Sequence, residues 1–191
     1  MSRPNLIVLA GPNGAGKTTS AQTLVLGTLG IVQFVNADTI AQGLSGFRPE
    51  SVRMTAGRVM LEQLRRLGKR RSSFAFETTL ASKTFAPWIR SLVEEGYAFH
   101  LFFFWLPSAD ISVSRVAERV RLGGHHVPER DIRRRYPRGI ENFFAIYRPL
   151  ATSWTMYDNS SRSGPTLIAE GAENRMRVAN ENLWKRISIG Q

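Results

Sequence analysis

An α/β fold is what this sequence predicts: a parallel sheet of about five strands flanked by helices, formed by residues 1–191 as one domain. Apolar runs of strand length alternate with helix-periodic stretches along the whole chain, the pattern of βαβ units. A glycine-rich turn, Gly11-Pro12-Asn13-Gly14-Ala15-Gly16-Lys17-Thr18, separates the first apolar run from the first helical one. Size agrees, since 191 residues with 42% apolar content can close one core.

Strands are expected at residues 6–10, 31–35, 73–76 and 97–105, and more weakly at 155–157 and 166–169. Helices are expected at 17–26 and at 49–67, where Val52, Ala56, Val59, Met60, Leu64 and Leu67 recur at the 3.6-residue period. Further helical patterns cover 85–95, 109–122, 128–135, 140–150 and 173–186. The absence of cysteine excludes disulfides, Cys-based zinc sites and thiolate catalysis. The longest apolar run, 98–106, holds His100 and falls well short of the ~20 residues that cross a bilayer. The apolar stretch near the start is too short for a signal peptide, so a soluble, cytoplasmic protein is expected.

The turn satisfies G-x-x-x-x-G-K-[ST] at every fixed position and lies between a strand and a helix, the context a P-loop requires. Glycines 11, 14 and 16 let the backbone N–H groups point inward at phosphate oxygens, and the following helix offers its positive end. Lys17 can reach the β/γ oxygens and the Thr18 hydroxyl can ligate Mg²⁺. Gly11, Asn13, Gly14, Ala15, Gly16, Lys17, Thr18 and Thr19 are thus the candidate nucleotide-binding residues. No guanine signature follows and no transporter-type element is present, which leaves the plan of a small-molecule kinase using ATP and Mg²⁺.

Asp38 and Glu77 each stand just beyond the carboxyl end of a strand, where open α/β sheets bind ligands. Asp38 could take the proton of an acceptor hydroxyl, hold a metal-bound water, or cap the helix ahead of Ile40. Glu77 with Thr78 and Thr79 forms a polar cluster suited to a sugar, or caps the strand end. A lid is expected at about 108–138: two helices joined by Leu122-Gly123-Gly124-His125-His126-Val127-Pro128, with Arg115 and Arg119 sharing one face. Residues 115–138 hold eight arginines against Glu118, Glu129 and Asp131, enough to neutralise charge on a transferring phosphoryl group or to form a solvated basic face.

In this order the motifs resemble the zeta toxin family of P-loop kinases. The matching pieces are GPNGAGKTT at 11–19, VNADTIA at 35–41, FETTLAS at 76–82, FWLPSADISVSRVAERVRLGGHHVPERDIRRRYPRGIENF at 104–143 and YDNS at 157–160. The resemblance is to a compact, short branch. It implies phosphoryl transfer from ATP to a hydroxyl of a UDP-activated amino sugar, UDP-N-acetylglucosamine in characterised members, with an antitoxin protein as partner. By the same resemblance Lys17 and Thr18 serve ATP and Mg²⁺, Asp38 activates the acceptor, and Glu77 with Thr78 belongs to the substrate site. Arg119 and one of Arg133 to Arg135, taken here as Arg134, look like the phosphate-clamping arginines.

The formal charge of +11 favours polyanionic partners, although a GC-rich genome would also enrich arginine. Other acceptors remain open: a nucleoside, an antibiotic or a nucleic-acid end. A second class of function is a basic nucleic-acid-binding protein with a regulatory nucleotide site. Against it, no helix-turn-helix, RNA-binding sheet motif or zinc finger is present.

Overall fold

The computed structural model describes residues 3–21, 27, 30–161, 163–173 and 175–189. Seven strands form one sheet. In spatial order they are β2 (Phe34–Val35), β3 (Phe74–Thr78), β1 (Asn5–Ala10), β4 (Ala98–Trp105), β5 (Ser153–Asp158), β6 (Thr166–Ala172) and β7 (Arg175–Val178). The first five are parallel, and β6 and β7 continue the sheet antiparallel. Strand β1 lies inside, so both of its faces are buried and its sequence is apolar without interruption after Asn5. Leu6, Val8 and Ala10 face one layer with Phe74, Phe76, Phe99, Leu101 and Phe103; Ile7 and Leu9 face the other with Ala75 and Phe104.

The helices are α1 (Lys17–Ala21), α2 (Ala37–Leu44), α3 (Arg53–Lys69), α4 (Phe85–Glu94), α5 (Ala109–Arg121), α6 (Glu129–Asn142), α7 (Arg148–Leu150) and α8 (Glu181–Ser188). Helix α3 buries Ala56, Met60, Leu64 and Leu67, the expected stripe, but Val59 is 38% exposed and residues 49–52 form a 3₁₀ turn. Of the apolar run at 31–35 only Phe34–Val35 pairs as a strand. Residues 22–26 of the helix expected at 17–26 lie outside the described residues.

Three expectations change. The sheet has seven strands where about five parallel ones are expected, because β6 and β7 extend it antiparallel. The helix expected at 173–186 is instead strand β7 followed by α8; the chain reverses at Glu173, whose φ is 53°, and α8 starts only after Asn180, whose Oδ1 accepts from Leu183 N at 3.1 Å. Residues 175–178, Arg-Met-Arg-Val, alternate with period two, and a strand ladder to β6 uses that period where a helix could not. The helices expected at 128–135 and 140–150 form one continuous rod: α6, a π turn at Phe143–Tyr147, then α7. Pro137 is tolerated inside α6 because the surrounding residues are anchored. Tyr136 donates its hydroxyl to Leu106 O at 2.7 Å, and Gly139, Ile140, Phe143 and Tyr147 are buried. Among the described residues no helix is long and apolar enough to cross a membrane.

Candidate active site

The loop after β1 starts with Gly11 at φ 136°, where a Cβ would collide with the carbonyl oxygen of Phe104 on the neighbouring strand. Gly14 and Gly16, at φ 76° and 75°, turn the loop through conformations that favour glycine. The outside of the loop is braced by two residues. Asn159 Nδ2 donates to Ala15 O at 2.6 Å, and Arg115 donates to Asn159 O and Ser160 O at 2.7 Å each. Arg115 is therefore spent on backbone carbonyls beneath the loop, not aimed at a phosphoryl group with Arg119.

Lys17 opens α1 and is 6% exposed. Its ammonium donates to Pro12 O at 2.9 Å and stands 3.6 Å from Glu77 Oε1, an ion pair too long for a hydrogen bond. Burial pulls the Lys17 pKa below the usual lysine range, Arg119 pushes the same way, and Glu77 and Asp38 oppose them. Glu77 Oε2 accepts from Thr18 Oγ1 at 2.7 Å and from Asn36 Nδ2 at 2.9 Å. A buried ammonium beside a carboxylate, an exposed hydroxyl held by the same carboxylate and a loop of left-handed glycines fit the phosphate chain of a nucleotide with its metal. Thr18 is the residue that would hold Mg²⁺. Asn13 lines the same pocket with its Oδ1 buried and unpartnered, and Thr19 is exposed one residue further along α1.

Asp38 does not cap α2. Asn36 does, accepting from Asp38 N at 2.7 Å and Thr39 N at 3.3 Å, which leaves the Asp38 carboxylate 49% exposed in the first turn. Asp38 and Lys17 line one pocket of about 250 Å³ together with Asn36, Glu77, Thr78, Thr79 and Arg135. Thr78 and Thr79 also shape the turn after β3, their hydroxyls accepting from Leu80 N at 3.2 Å and Ala81 N at 3.4 Å.

The two expected lid helices are α5 and α6, and their turn is secured by Val127 packed with Val116 and Ile132. Arg119 Nη2 donates to His125 O at 2.6 Å while its Nε is buried without a partner. Arg134 pairs with Asp131 at 3.0 Å and is half exposed; Arg133 pairs with Asp110 and Glu129, both at 2.7 Å. None of Arg119, Arg133 and Arg134 lines the pocket. Arg135 does, because helix phase puts it beside Ile132, Tyr136 and Gly139 on the inward face. Burial lowers the Arg135 pKa, and Asp131 and Asp38 oppose that shift. Extending the helical pattern through Pro137 to Ile140 singles out Arg135, whereas the motifs that contain Asn36, Arg115 and His125 do not mark their roles as helix cap, loop brace and neighbour of Asp38.

The fold and the pocket define a kinase-like P-loop domain. More specifically, the chain belongs to the AAA domain family (AAA_33), whose model matches residues 6–136. It is 27% identical over 130 residues to an uncharacterized protein of Haemophilus influenzae, covering 68% of this chain and 91% of that protein. A chain of the AvrRxo1-ORF1:AvrRxo1-ORF2 complex, solved with sulphate ions, superposes with TM-score 0.79 at 16% identity over 97% of this chain; this chain spans 64% of its length. The same complex with ATP gives TM-score 0.78 at 17% identity, with the same coverage. A chain of the PezAT chromosomal toxin–antitoxin system of Streptococcus pneumoniae gives TM-score 0.67 at 17% identity, over 100% of this chain and 80% of that one. At these identities the likeness is one of fold.

Proposed function

We propose that the protein transfers the γ-phosphoryl group of ATP to a hydroxyl of a small molecule, with a UDP-activated amino sugar such as UDP-N-acetylglucosamine as acceptor. The observation that carries this reading is that Lys17, on the phosphate side, and Asp38, an accessible carboxylate, line one pocket. ATP bound with Mg²⁺ supplies the phosphoryl group. Thr18 holds the metal and Lys17 holds phosphate oxygens, exchanging its contact with Pro12 O for a ligand that neutralises it fully. Asp38 orients the acceptor hydroxyl and takes its proton. Glu77 and Thr78 line the acceptor side, and Glu77 keeps Thr18 and Asn36 in place. Arg119 and Arg135, in preference to Arg134, neutralise charge on the transferring group. The fold shared with the PezAT toxin–antitoxin system supports an antitoxin protein as partner. A cytoplasmic location suits dependence on ATP.

Asp38→Asn tests the reading, because it preserves size and leaves the helix cap on Asn36 untouched. Mg·ATP should raise the melting temperature of mutant and wild type alike, while transfer to UDP-N-acetylglucosamine falls ~10²–10⁴-fold, the range for a positioned proton acceptor. Full transfer by Asp38→Asn would move that role to Glu77. A wild-type enzyme inert toward UDP-N-acetylglucosamine, but adding one phosphoryl group to another metabolite in a mixture resolved by mass spectrometry, would replace the acceptor and keep the kinase.

A further inference from the structure

The turn between the lid helices passes through His125, which stands between Asp38 on α2 and Arg119 on α5. Its Nε2 lies 3.8 Å from Asp38 Oδ1, close enough for an electrostatic contact but too long for a hydrogen bond, with the side chain 6% exposed, and its carbonyl oxygen accepts Arg119 Nη2 at 2.6 Å. Gly124 is shaped by the same contact, since a Cβ there would fall 2.5 Å from Arg119 Cγ and 2.9 Å from the Arg119 carbonyl oxygen. Gly123, at φ 82°, bends the turn, and buried Val127 anchors it on the far side of His125.

Resting on the kinase reading above, we propose that His125 is a positioning residue of the lid turn, its ring against Asp38 on α2 and its carbonyl on Arg119 of α5, so that the Asp38 carboxylate and the Arg119 guanidinium keep one spacing. A side chain that merely fills space has no need to bring a ring nitrogen to a carboxylate and a carbonyl to a guanidinium from one residue. Asp38 also lies in the fields of Lys17 on α1 and Arg135 on α6, and Arg119 acts on Lys17. Those cations sit on long side chains that lose more rotamer freedom when fixed than an imidazole does. The imidazole has two torsions and sits on a turn that backbone and Val127 already locate, so it fixes Asp38 at lower entropic cost. The His125 carbonyl in turn sets how Arg119 is rotated, because Arg119 Nε has no partner of its own.

The test uses the full chain with His125→Leu and His125→Gln, each alone and combined with Asp38→Asn. Three quantities are read: the melting shift with Mg·ATP, the rate of γ-phosphate release from Mg·ATP with water as acceptor, and amide hydrogen exchange at residues 122–127. His125→Leu should keep the melting shift, speed exchange throughout the turn, and slow γ-phosphate release by roughly 10²-fold, the cost of a misplaced reacting group. His125→Gln, which restores a polar N–H group of similar reach facing Asp38, should recover most of both effects. In the Asp38→Asn background His125→Leu should add little, as expected for two residues acting through one contact. Unchanged exchange in His125→Leu, or effects of His125→Leu and Asp38→Asn that simply add, would return His125 to packing. If His125→Leu does not fold, His125→Gln against Asp38→Asn completes the same cycle. A wild type that neither melts higher with Mg·ATP nor releases phosphate overturns the kinase reading instead, and the exchange measurement still decides whether His125 tethers the turn to Asp38.

Discussion

The two walls of the pocket are shaped in different ways. On the phosphate wall the curvature belongs to a local octapeptide, with three glycines at positive φ, and distant residues only brace it from outside through Asn159 and Arg115. On the acceptor wall the turn after β3 has no glycine. Leu80 is held at φ 55°, a conformation that costs a branched side chain about 1–2 kcal/mol. Bonds from the α6 rod offset that cost: Asn142 Nδ2 donates to Leu80 O at 2.7 Å, and Tyr147 donates its hydroxyl to Ser82 O at 2.6 Å. Gly139 lets the rod approach so closely that a Cβ would meet Thr79 O at 2.5 Å. One wall is thus shaped by its own backbone preferences. The other is shaped by a partner 62 residues away, and its geometry should be the easier to lose.

The largest effect should come from the phosphate wall. Lys17→Ala removes a buried charge and leaves Glu77 bonded to Thr18 and Asn36, so the protein should remain folded. Transfer should fall by ~10³-fold or more, as when a preorganised donor to developing charge is lost. The melting shift with Mg·ATP, about 2.7 kcal/mol when ligand stands 100-fold above Kd, should also shrink sharply. A normal shift in Lys17→Ala would mean that this wall is not the nucleotide site.

Next in size is the contrast between adjacent arginines. Lysine keeps the charge but not the two-pronged contact, so Arg135→Lys should lower kcat by about 10³-fold if Arg135 clamps the transferring group. Arg134→Lys should leave kcat unchanged, since Arg134 contacts Asp131 at the surface. The reverse outcome would show that the lid turns its other face inward during turnover.

A matched pair of substitutions separates the walls directly. Asn142→Ala leaves Leu80 O without its donor and should destabilise the fold by about 1–3 kcal/mol, measured by urea unfolding. It should also raise KM for the acceptor while Mg·ATP affinity holds. Asn159→Ala should do the opposite, weakening Mg·ATP and sparing acceptor KM. Equal effects of both variants on both substrates would erase the distinction between the walls.

The smallest effect lies at the other end of the sheet and gauges it as a scaffold. His100 is clamped between Ser153 Oγ at 2.7 Å and Asn5 Oδ1 at 3.2 Å, and burial, helped by Arg3, lowers its pKa. The folded state therefore binds fewer protons than the unfolded chain below the ordinary histidine pKa of about 6.5. Stability should drop as pH falls through 6.5, levelling off once pH passes the folded pKa, with a slope of at most about 1.4 kcal/mol per pH unit. Urea midpoints at pH 7.5 and 5.5 should differ less in His100→Gln than in wild type. An equal difference would assign the pH dependence to other groups.

Legibility in the sequence follows the same division. Strands β1, β3 and β4, the stripe of α3 and the phosphate loop were visible because alternation, period and glycine placement act within a few residues. Helix α2 is legible only at its start, through the possible cap ahead of Ile40, because eight residues are too few for a stripe to stand out. Strand β7 reads as helix in the sequence, since two apolar residues alternating with two arginines carry little periodic signal until β6 lies alongside. The helical patterns at 128–135 and 140–150 join through Pro137, whose local cost is outweighed by the anchoring of Tyr136 and the burial of Ile140, Phe143 and Tyr147.

By itself the sequence determined the α/β class, the phosphate loop with Lys17 and Thr18, and the position of Asp38 and Glu77 beyond strand ends. Each depends on covalent backbone freedom or on a pattern a few residues long. Only the tertiary structure decided that Asn36 caps α2 and frees Asp38, that Arg135 and not Arg134 enters the pocket, and that Arg115 braces the loop. These outcomes turn on which of several equivalent polar side chains is nearest a buried partner. That choice is made by desolvation and hydrogen bonding between segments far apart in the chain, whose energies exist only once the sheet has brought those segments together.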